Sequence, residues 1–299
     1  MNELKSVEHC QRIQTILENG KNLKVHSVFA TAVNMIGDDI FFSLLTNKHC
    51  LFPMSCRVLN DIPFTKLGIT EGMEVITSCD RICIPKADSM IDLKDSMERD
   101  LSFDKKKDLL VPRNLALKVE ILKELINDKG SENDLSTLIS EKYSNPYADL
   151  VSKRLPGLNE AIKEGNLLAG ELAGSLAGCG IGLTPSSDDM LIGYMAAYLA
   201  DSIAKGYRLE ESYQITNAMG NEASKRTNTI SGAFLKQCGM GLLSDDMTKL
   251  MCAIYSDSNK EIIRKCGECI QNFGSTSGTD MLSGVVLAIV NLNGGEYFG

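Results

Sequence analysis

The feature that most restricts how this chain can fold is a motif written nearly twice. Cys179-Gly180-Ile181-Gly182-Leu183-Thr184-Pro185-Ser186-Ser187-Asp188-Asp189-Met190-Leu191-Ile192-Gly193 is echoed by Gly274-Ser275-Thr276-Ser277-Gly278-Thr279-Asp280-Met281-Leu282-Ser283-Gly284. Aligned on Asp189 and Asp280, both copies read Asp-Met-Leu-x-Gly after a hydroxyl-rich turn. A glycine loop and a small-polar turn running into an apolar helix aim backbone N–H groups at an anion. Two such turns predict a site where two similar units face each other, within one chain or across a homo-oligomer.

In the first copy Thr184 is read as the N-cap and Pro185 as the first helical residue, where a missing N–H costs nothing. The amides of Ser186, Ser187, Gly180 and Gly182 are then candidates for an oxyanion, with Thr184 and Ser186 adding hydroxyls. In the second copy Ser275 caps, Ser277 pairs with Ser186, and Gly278 falls opposite Ser187. Asp188, Asp189 and Asp280 lie in first helical turns, where a carboxylate suits the positive helix end but repels a phosphate. Three roles remain open: helix caps, ligands of Mg²⁺ at Asp188 and Asp189, or acceptors for an N–H₂ group of the ligand. Arg226, in the polar turn Lys225 to Ser231, is the candidate cation for phosphate or carboxylate; Arg154 is a weaker one. No histidine follows His49, so the later part of the chain cannot form a Ser-His-Asp triad alone. His26, beside Ser27, is the one histidine read as able to reach a site from the early strands.

The 299 residues suit two domains, and the pattern changes along the chain. Short β-branched or aromatic runs, Val25–Met35, Ile40–Leu45, Cys50–Met54, Val75–Ser78 and Arg81–Ile84, with a turn at Gly37-Asp38-Asp39, predict a small barrel or sandwich. Leu4 to Leu17 reads as helical. Residues 86 to 112, with the run Lys105-Lys106-Lys107-Asp108, read as a solvated connector. Beyond them the periodicity is helical: Leu115 to Ile126 with Lys and Glu on the outer face, Leu158–Ala177 with Gly170, Gly174 and Gly178 four apart, then Asp188–Lys205, Leu209–Ser224, Ile230–Cys238, Asp246–Tyr255, Asn259–Asn272 and Thr279–Val290. The expectation is an α+β protein: a barrel- or sandwich-like domain over residues 1–95, and an all-helical domain over 96–299.

A net charge of −8 and a pI near 5.1 disfavour nucleic acid as a partner. The longest apolar run, Val285 to Leu292, is too short for a bilayer, and no signal-peptide core opens the chain, so the cytoplasm is expected. Ten cysteines read as thiols, and Cys266-Gly267-Glu268-Cys269 reads as packing within a helix.

The stretch Gly180 to Gly193 resembles the signature of the AllH family, subunits of oxamate carbamoyltransferase. His26-Ser27-Val28-Phe29, with the strand through Asn34, and Arg226-Thr227 to Ser231 are similar to two further blocks of that family. The resemblance runs from His26 to Val290; where the family usually has glycine, this chain has Ser187. It implies a role in anaerobic purine (allantoin) breakdown with other carbamoyltransferase subunits, interconverting oxalurate plus phosphate with oxamate plus carbamoyl phosphate. On this reading Gly180, Gly182, Thr184, Ser186, Ser187, Ser275, Ser277 and Gly278 bind the ligand, with Thr227, Ser231 and His26 in support. Asp188, Asp189 and Asp280 orient its amide or a metal, Arg226 neutralises its anion, and no cofactor is required. Two alternatives stand beside it: a non-catalytic ligand-binding or assembly subunit, and a Mg²⁺-dependent phosphoryl-transfer enzyme, which would lack a Walker-type lysine.

Overall fold

A computed structural model describes residues 2–19, 23–38, 40–105, 108–140, 142 and 144–297. The fold class is α+β as expected: a strand-rich half-barrel over the early residues, then a helical region. The chain divides into two compact units, Met1–Leu101 and Ser102–Gly299.

In the first unit the described residues form one mixed sheet from β1 (Asn2–Cys10), β2 (Lys24–Val28), β3 (Ala32–Gly37), β4 (Ile40–Thr46), β5 (Ser55–Leu59), β6 (Ile76–Ser78), β7 (Arg81–Ile84), β8 (Ser89–Asp92) and β9 (Met97–Arg99), with α1 (Ile13–Asn19) after the first strand. The order is β2-β3-β4-β5-β1-β8-β7-β6, and β9 also pairs with β1. Backbone just before β6 hydrogen-bonds β2 (Val25 N to Met73 O 2.9 Å, Val75 N to Leu23 O 2.9 Å), so the sheet curls back on itself. β3 and β4 pair antiparallel out to Gly37 and Ile40; Asp39 of the expected turn, like Lys106 and Lys107 of the lysine run, lies outside the described residues.

Three expectations change here. Leu4 to Leu17 is not helical throughout: β1 occupies its first part, with Leu4, Ser6 and Glu8 buried between exposed Glu3, Lys5 and Val7. Polar Ser6 and Glu8 mask that two-residue alternation; Glu8 is buried because Arg57 (2.6 Å) and Arg99 (2.8 Å) pair with it. The run Cys50–Met54 precedes a strand instead of forming one. Finally, β8 and β9 lie in the segment read as a connector. Their inward residues Ser89 and Ile91 are buried while Asp92, Met97 and Glu98 face outward, so charge density disguised short strands that pair in parallel with β1.

The second unit contains α2 (Leu115–Lys129), α3 (Thr137–Ser140), α4 (Pro146–Lys163), α5 (Ala169–Leu176), α6 (Ser186–Ala204), α7 (Leu209–Ser224), α8 (Thr229–Gly239), α9 (Asp245–Ile254), α10 (Lys260–Gln271) and α11 (Ser277–Tyr297). The single helix expected over Leu158–Ala177 is two. Gly165 turns left-handed (φ 65°), and the Asn166 side chain takes the Leu168 amide (2.9 Å), ending α4 before α5 begins. On α5, Gly170 and Gly174 let α7 approach: an added Cβ would lie 3.0 Å from Ala218 backbone and 3.3 Å from the Glu222 carbonyl. Lys118, expected on the outer face of α2, is buried. Its ammonium closes the end of α9 by donating to the carbonyls of Ala253 (3.0 Å), Ile254 (3.0 Å) and Ser256.

α6 is buried on every side from Ser186 to Ser202, as befits a helix apolar all round. It crosses α11 at reciprocal glycines. A Cβ on Gly193 would collide with the Met281 carbonyl, and a Cβ on Gly284 with the Met190 carbonyl. Each Asp-Met-Leu-x-Gly copy thus presses its glycine on the backbone of the other, giving the crossing an approximate two-fold relation. Overpacking at such a contact costs about 1–3 kcal/mol or more. Gly284→Ala is therefore expected to lower the thermal midpoint sharply. Gly294→Ala on the same helix, with nothing within 4 Å, should raise it slightly, since alanine gains about 1 kcal/mol over glycine in a helix. Equal shifts in the two variants would mean the crossing is not tight.

Candidate functional site

The crossing brings the two copied turns together. Thr184 Oγ1 and Ser277 Oγ lie 3.0 Å apart, one hydroxyl from each copy. Neither end is capped as expected. α6 starts at Ser186 after Pro185, with no side-chain cap, and the Thr184 hydroxyl reaches Ser277 instead. α11 starts at Ser277, the Asp280 amide donates to the Thr276 carbonyl (3.0 Å), and Ser275 is left exposed before it.

The helix-start amides are largely spent inside the protein. Ser187 N donates to Cys179 O (2.9 Å), Asp188 N and Asp189 N to Pro185 O (2.9 and 3.2 Å), and Gly278 N to Phe273 O (3.0 Å). Gly180, at φ 131°, lies so close over the Ser186 amide that a Cβ would strike it. Ser187, standing where glycine was expected, is buried and accepts from Cys179 N (2.9 Å), a reciprocal clasp that holds the start of the loop. What remains open is the loop. Residues 181–183 are exposed, and the amides from Gly180 to Thr184 have no acceptor among the described residues. With Gly180 and Gly182 both at positive φ, successive N–H groups of this kind form an anion-binding concavity.

Two arginines border the loop. The Arg226 guanidinium lies against Gly174, at the end of α5 that feeds the loop. Arg154 donates to the Ser175 carbonyl, and its charge opposes the burial that pushes the Cys179 thiol pKa up.

The three aspartates divide in role. Asp188, fully buried, is saturated: Oδ1 accepts from Gly178 N (2.7 Å), and Oδ2 from Ser231 Oγ (2.7 Å) and the Thr227 hydroxyl. It latches the glycine loop to the start of α8, and the Thr227 and Ser231 hydroxyls are engaged on it. Burial still raises its pKa, against those three donors. Asp189 and Asp280 differ. They are 1% and 0% exposed, and neither Asp189 oxygen, nor Asp280 Oδ2, nor the Ser186 hydroxyl has a hydrogen-bond partner among the described residues. Asp280 Oδ1 accepts from Leu135 N (2.7 Å). Burial pushes Asp189 up to about 7; the Ser277 and Thr184 hydroxyls, near it but short of hydrogen-bonding geometry, favour its charged form, and Asp188 opposes it. Asp280 is held well above the carboxylate range, first by burial and then by Asp189 and Asp134, despite the Leu135 amide and the Ser186 hydroxyl. The two copies are thus cross-wired: each aspartate faces the serine of the other copy.

For a metal, only Asp189 of the Asp188–Asp189 pair keeps open lone pairs, and no group of three or more His, Cys, Asp or Glu among the described residues could hold an ion. His26 sits on β2 in the first unit, Nδ1 3.2 Å from Ser27 Oγ, in a polar ladder through Asn34 (3.1 Å) to Ser43 (2.6 Å). The ten cysteines are free thiols, and no helix of the described residues is long and apolar enough to cross a membrane. Sequence reasoning missed the segment Asp134–Ser136, which closes over Asp280. Its signal was Ser131-x-x-Asp134: Asp134 Oδ2 takes the Ser131 amide (2.9 Å) and Oδ1 the Ser136 amide (2.9 Å), presenting Leu135 N to Asp280.

Between about pH 4 and about pH 7 the folded chain keeps a proton on Asp189 that the unfolded chain has released, so stability falls as the pH rises through this window and levels off above it. Asp280 and Asp188 act in the same direction. Asp189→Asn is expected to reduce the fall in melting temperature across that window and to exceed the wild type in stability above it. A slope unchanged by the substitution would show that Asp189 is not the group responsible.

Two family models match the chain: the oxamate carbamoyltransferase subunit AllH over residues 176–289 and the AllH family N-terminal domain over residues 5–99. The first spans both copied motifs and the Arg226 turn, the second the half-barrel sheet. No solved structure matches.

Proposed function

The chain belongs to the AllH family of oxamate carbamoyltransferase subunits, and on that premise we propose that its paired helix starts bind a small ligand with an anion at one end and a carbamoyl amide at the other. The observation that carries this reading is the 3.0 Å approach of Thr184 and Ser277 beside Asp189, neither of whose buried oxygens has a hydrogen-bond partner among the described residues. The unpaired amides of Gly180 to Thr184 take the anion, and Arg226, with Arg154 at the end of α5, balances the charge. The Thr184 and Ser277 hydroxyls receive the amide end. Ser186, Ser187 and Gly278 act from behind, by packing and by shaping the loop; Ser275 stands at its rim.

The reaction proposed is exchange of a carbamoyl group between oxalurate and phosphate, yielding oxamate and carbamoyl phosphate, in cytoplasmic allantoin breakdown. Positioning and electrostatic stabilisation suffice for such a transfer, so no nucleophile and no Mg²⁺ are required. Other carbamoyltransferase subunits are the partners, as the family description implies. The near-complete burial of Asp189 and Asp280 favours a second reading, an assembly subunit that binds ligand while its partner carries the chemistry.

Thermal denaturation of the purified chain with carbamoyl phosphate, phosphate or oxamate tests the binding. Ligand at 100 times Kd should stabilise by about 2.7 kcal/mol. Arg226→Ala, an exposed position, should weaken binding roughly 10- to 100-fold, the range for losing a charged hydrogen bond. No shift with any of the three ligands would overturn the site. Turnover by the partner subunits without this chain would favour the assembly reading.

A further inference from the structure

The Asp189–Asp280 pair is a charge problem that the protein leaves unsolved by ordinary means. The charged groups that face it are themselves acidic, Asp188 toward Asp189 and Asp134 toward Asp280, and no cationic side chain enters either set. Two carboxylates so placed in a low-dielectric interior cannot both ionise. One hydrogen bond reaches the pair, from Leu135 N to Asp280 Oδ1 (2.7 Å); both Asp189 oxygens, Asp280 Oδ2 and the Ser186 hydroxyl are buried and unpartnered among the described residues. Native interiors leave few polar atoms in that state, and four at one point call for a reason. Beside Asp189 stand Thr184 and Ser277, both partly exposed, sharing a bond in which either hydroxyl can donate. Such a bridge can accept a proton on one side and release one on the other.

We propose that around neutral pH Asp189 and Asp280 hold one proton between them, and that the Thr184–Ser277 hydroxyl bridge passes it to and from the nitrogen of the bound ligand. The assignment rests on the carbamoyl-transfer reading above. When phosphate attacks the ureide carbonyl, the new C–O bond forms, the C–N bond breaks, and its electron pair stays on the departing nitrogen. That nitrogen takes the proton relayed from the aspartate pair and leaves as a neutral amide. The proton that the phosphate hydroxyl loses on becoming an acyl phosphate returns to the pair, so each turnover restores it. In the opposite direction the amide nitrogen gives its proton to the pair as it is carbamoylated. Asp189 acts through the two hydroxyls and does not touch the ligand.

The test is the pH–rate profile of ureide phosphorolysis by the assembled transferase containing the full chain. Asp189→Asn should lower kcat by about 100-fold, the lower end of general acid–base contributions, with KM within about twofold. It should also abolish the limb on which rate falls as pH rises. Thr184→Val combined with Ser277→Ala, at partly exposed positions, should reproduce both effects, and Thr184→Ser should retain the wild-type profile. An infrared difference spectrum of the unliganded chain at neutral pH, wild type minus the variant combining Asp189→Asn and Asp280→Asn, should carry a protonated-carboxyl band. Wild-type kcat and profile in Asp189→Asn, or absence of that band, overturns the relay. If Asp189→Asn does not assemble, the hydroxyl double variant decides, and an unchanged profile there has the same force. Activity of the assembly that ignores Arg226→Ala would instead overturn the site reading, which keeps the two failures distinct.

Discussion

The helical unit depends on the contact between α6 and α11, where Gly193 and Gly284 each rest on a backbone carbonyl of the other helix. Helices normally cross at a distance set by their side chains; here glycine on both sides removes that spacer. The consequence reaches beyond packing. Each glycine follows its aspartate by four residues, one helical turn, so the same close approach carries Asp189 and Asp280 toward each other and out of water. A larger residue at either glycine would separate the helices and admit solvent between the acids.

Asp188 and Asp189 show how one turn of helix separates two jobs. Neighbouring side chains leave a helix about 100° apart. Asp188 therefore points to the glycine loop and the start of α8, where three donors meet it. Asp189 points to α11, where it meets another acid and hydroxyls that stop short of bonding it. The first holds the loop in shape, and the second keeps its lone pairs open. The loop in turn offers what the helix starts do not. Cys179, Pro185 and Phe273 carbonyls have taken the amides of Ser187, Asp188, Asp189 and Gly278, while the amides around the positive-φ glycines Gly180 and Gly182 have no acceptor among the described residues. An anion bound there would lie beside the hydroxyl bridge, with the acids behind it.

Much of this was legible in advance. The repeated Asp-Met-Leu-x-Gly fixed where the two units would meet, because the repeat encodes the same glycine spacing twice. The helices from α6 to α11 follow from apolar periodicity; the structure adds the caps of α8, α9 and α10, where the side chains of Asn228, Ser244 and Asn259 take the amide three residues on. β1 was hidden because its inward residues Ser6 and Glu8 are polar, made tolerable inside only by Arg57 and Arg99 from distant strands. The break between α4 and α5 was hidden because the apolar period runs through Gly165 without losing step.

By itself the sequence determined the α+β class, the family, the two facing turns and the list of polar residues at them, since these depend on local periodicity, turn chemistry and repetition. Only the tertiary structure decided what each polar group does. Whether an amide is free or spent, and whether an aspartate is saturated or orphaned, depends on partners brought from far along the chain, such as Thr227 for Asp188 and Leu135 for Asp280. Hydrogen-bond satisfaction is a property of the packed whole, and no window of sequence contains it.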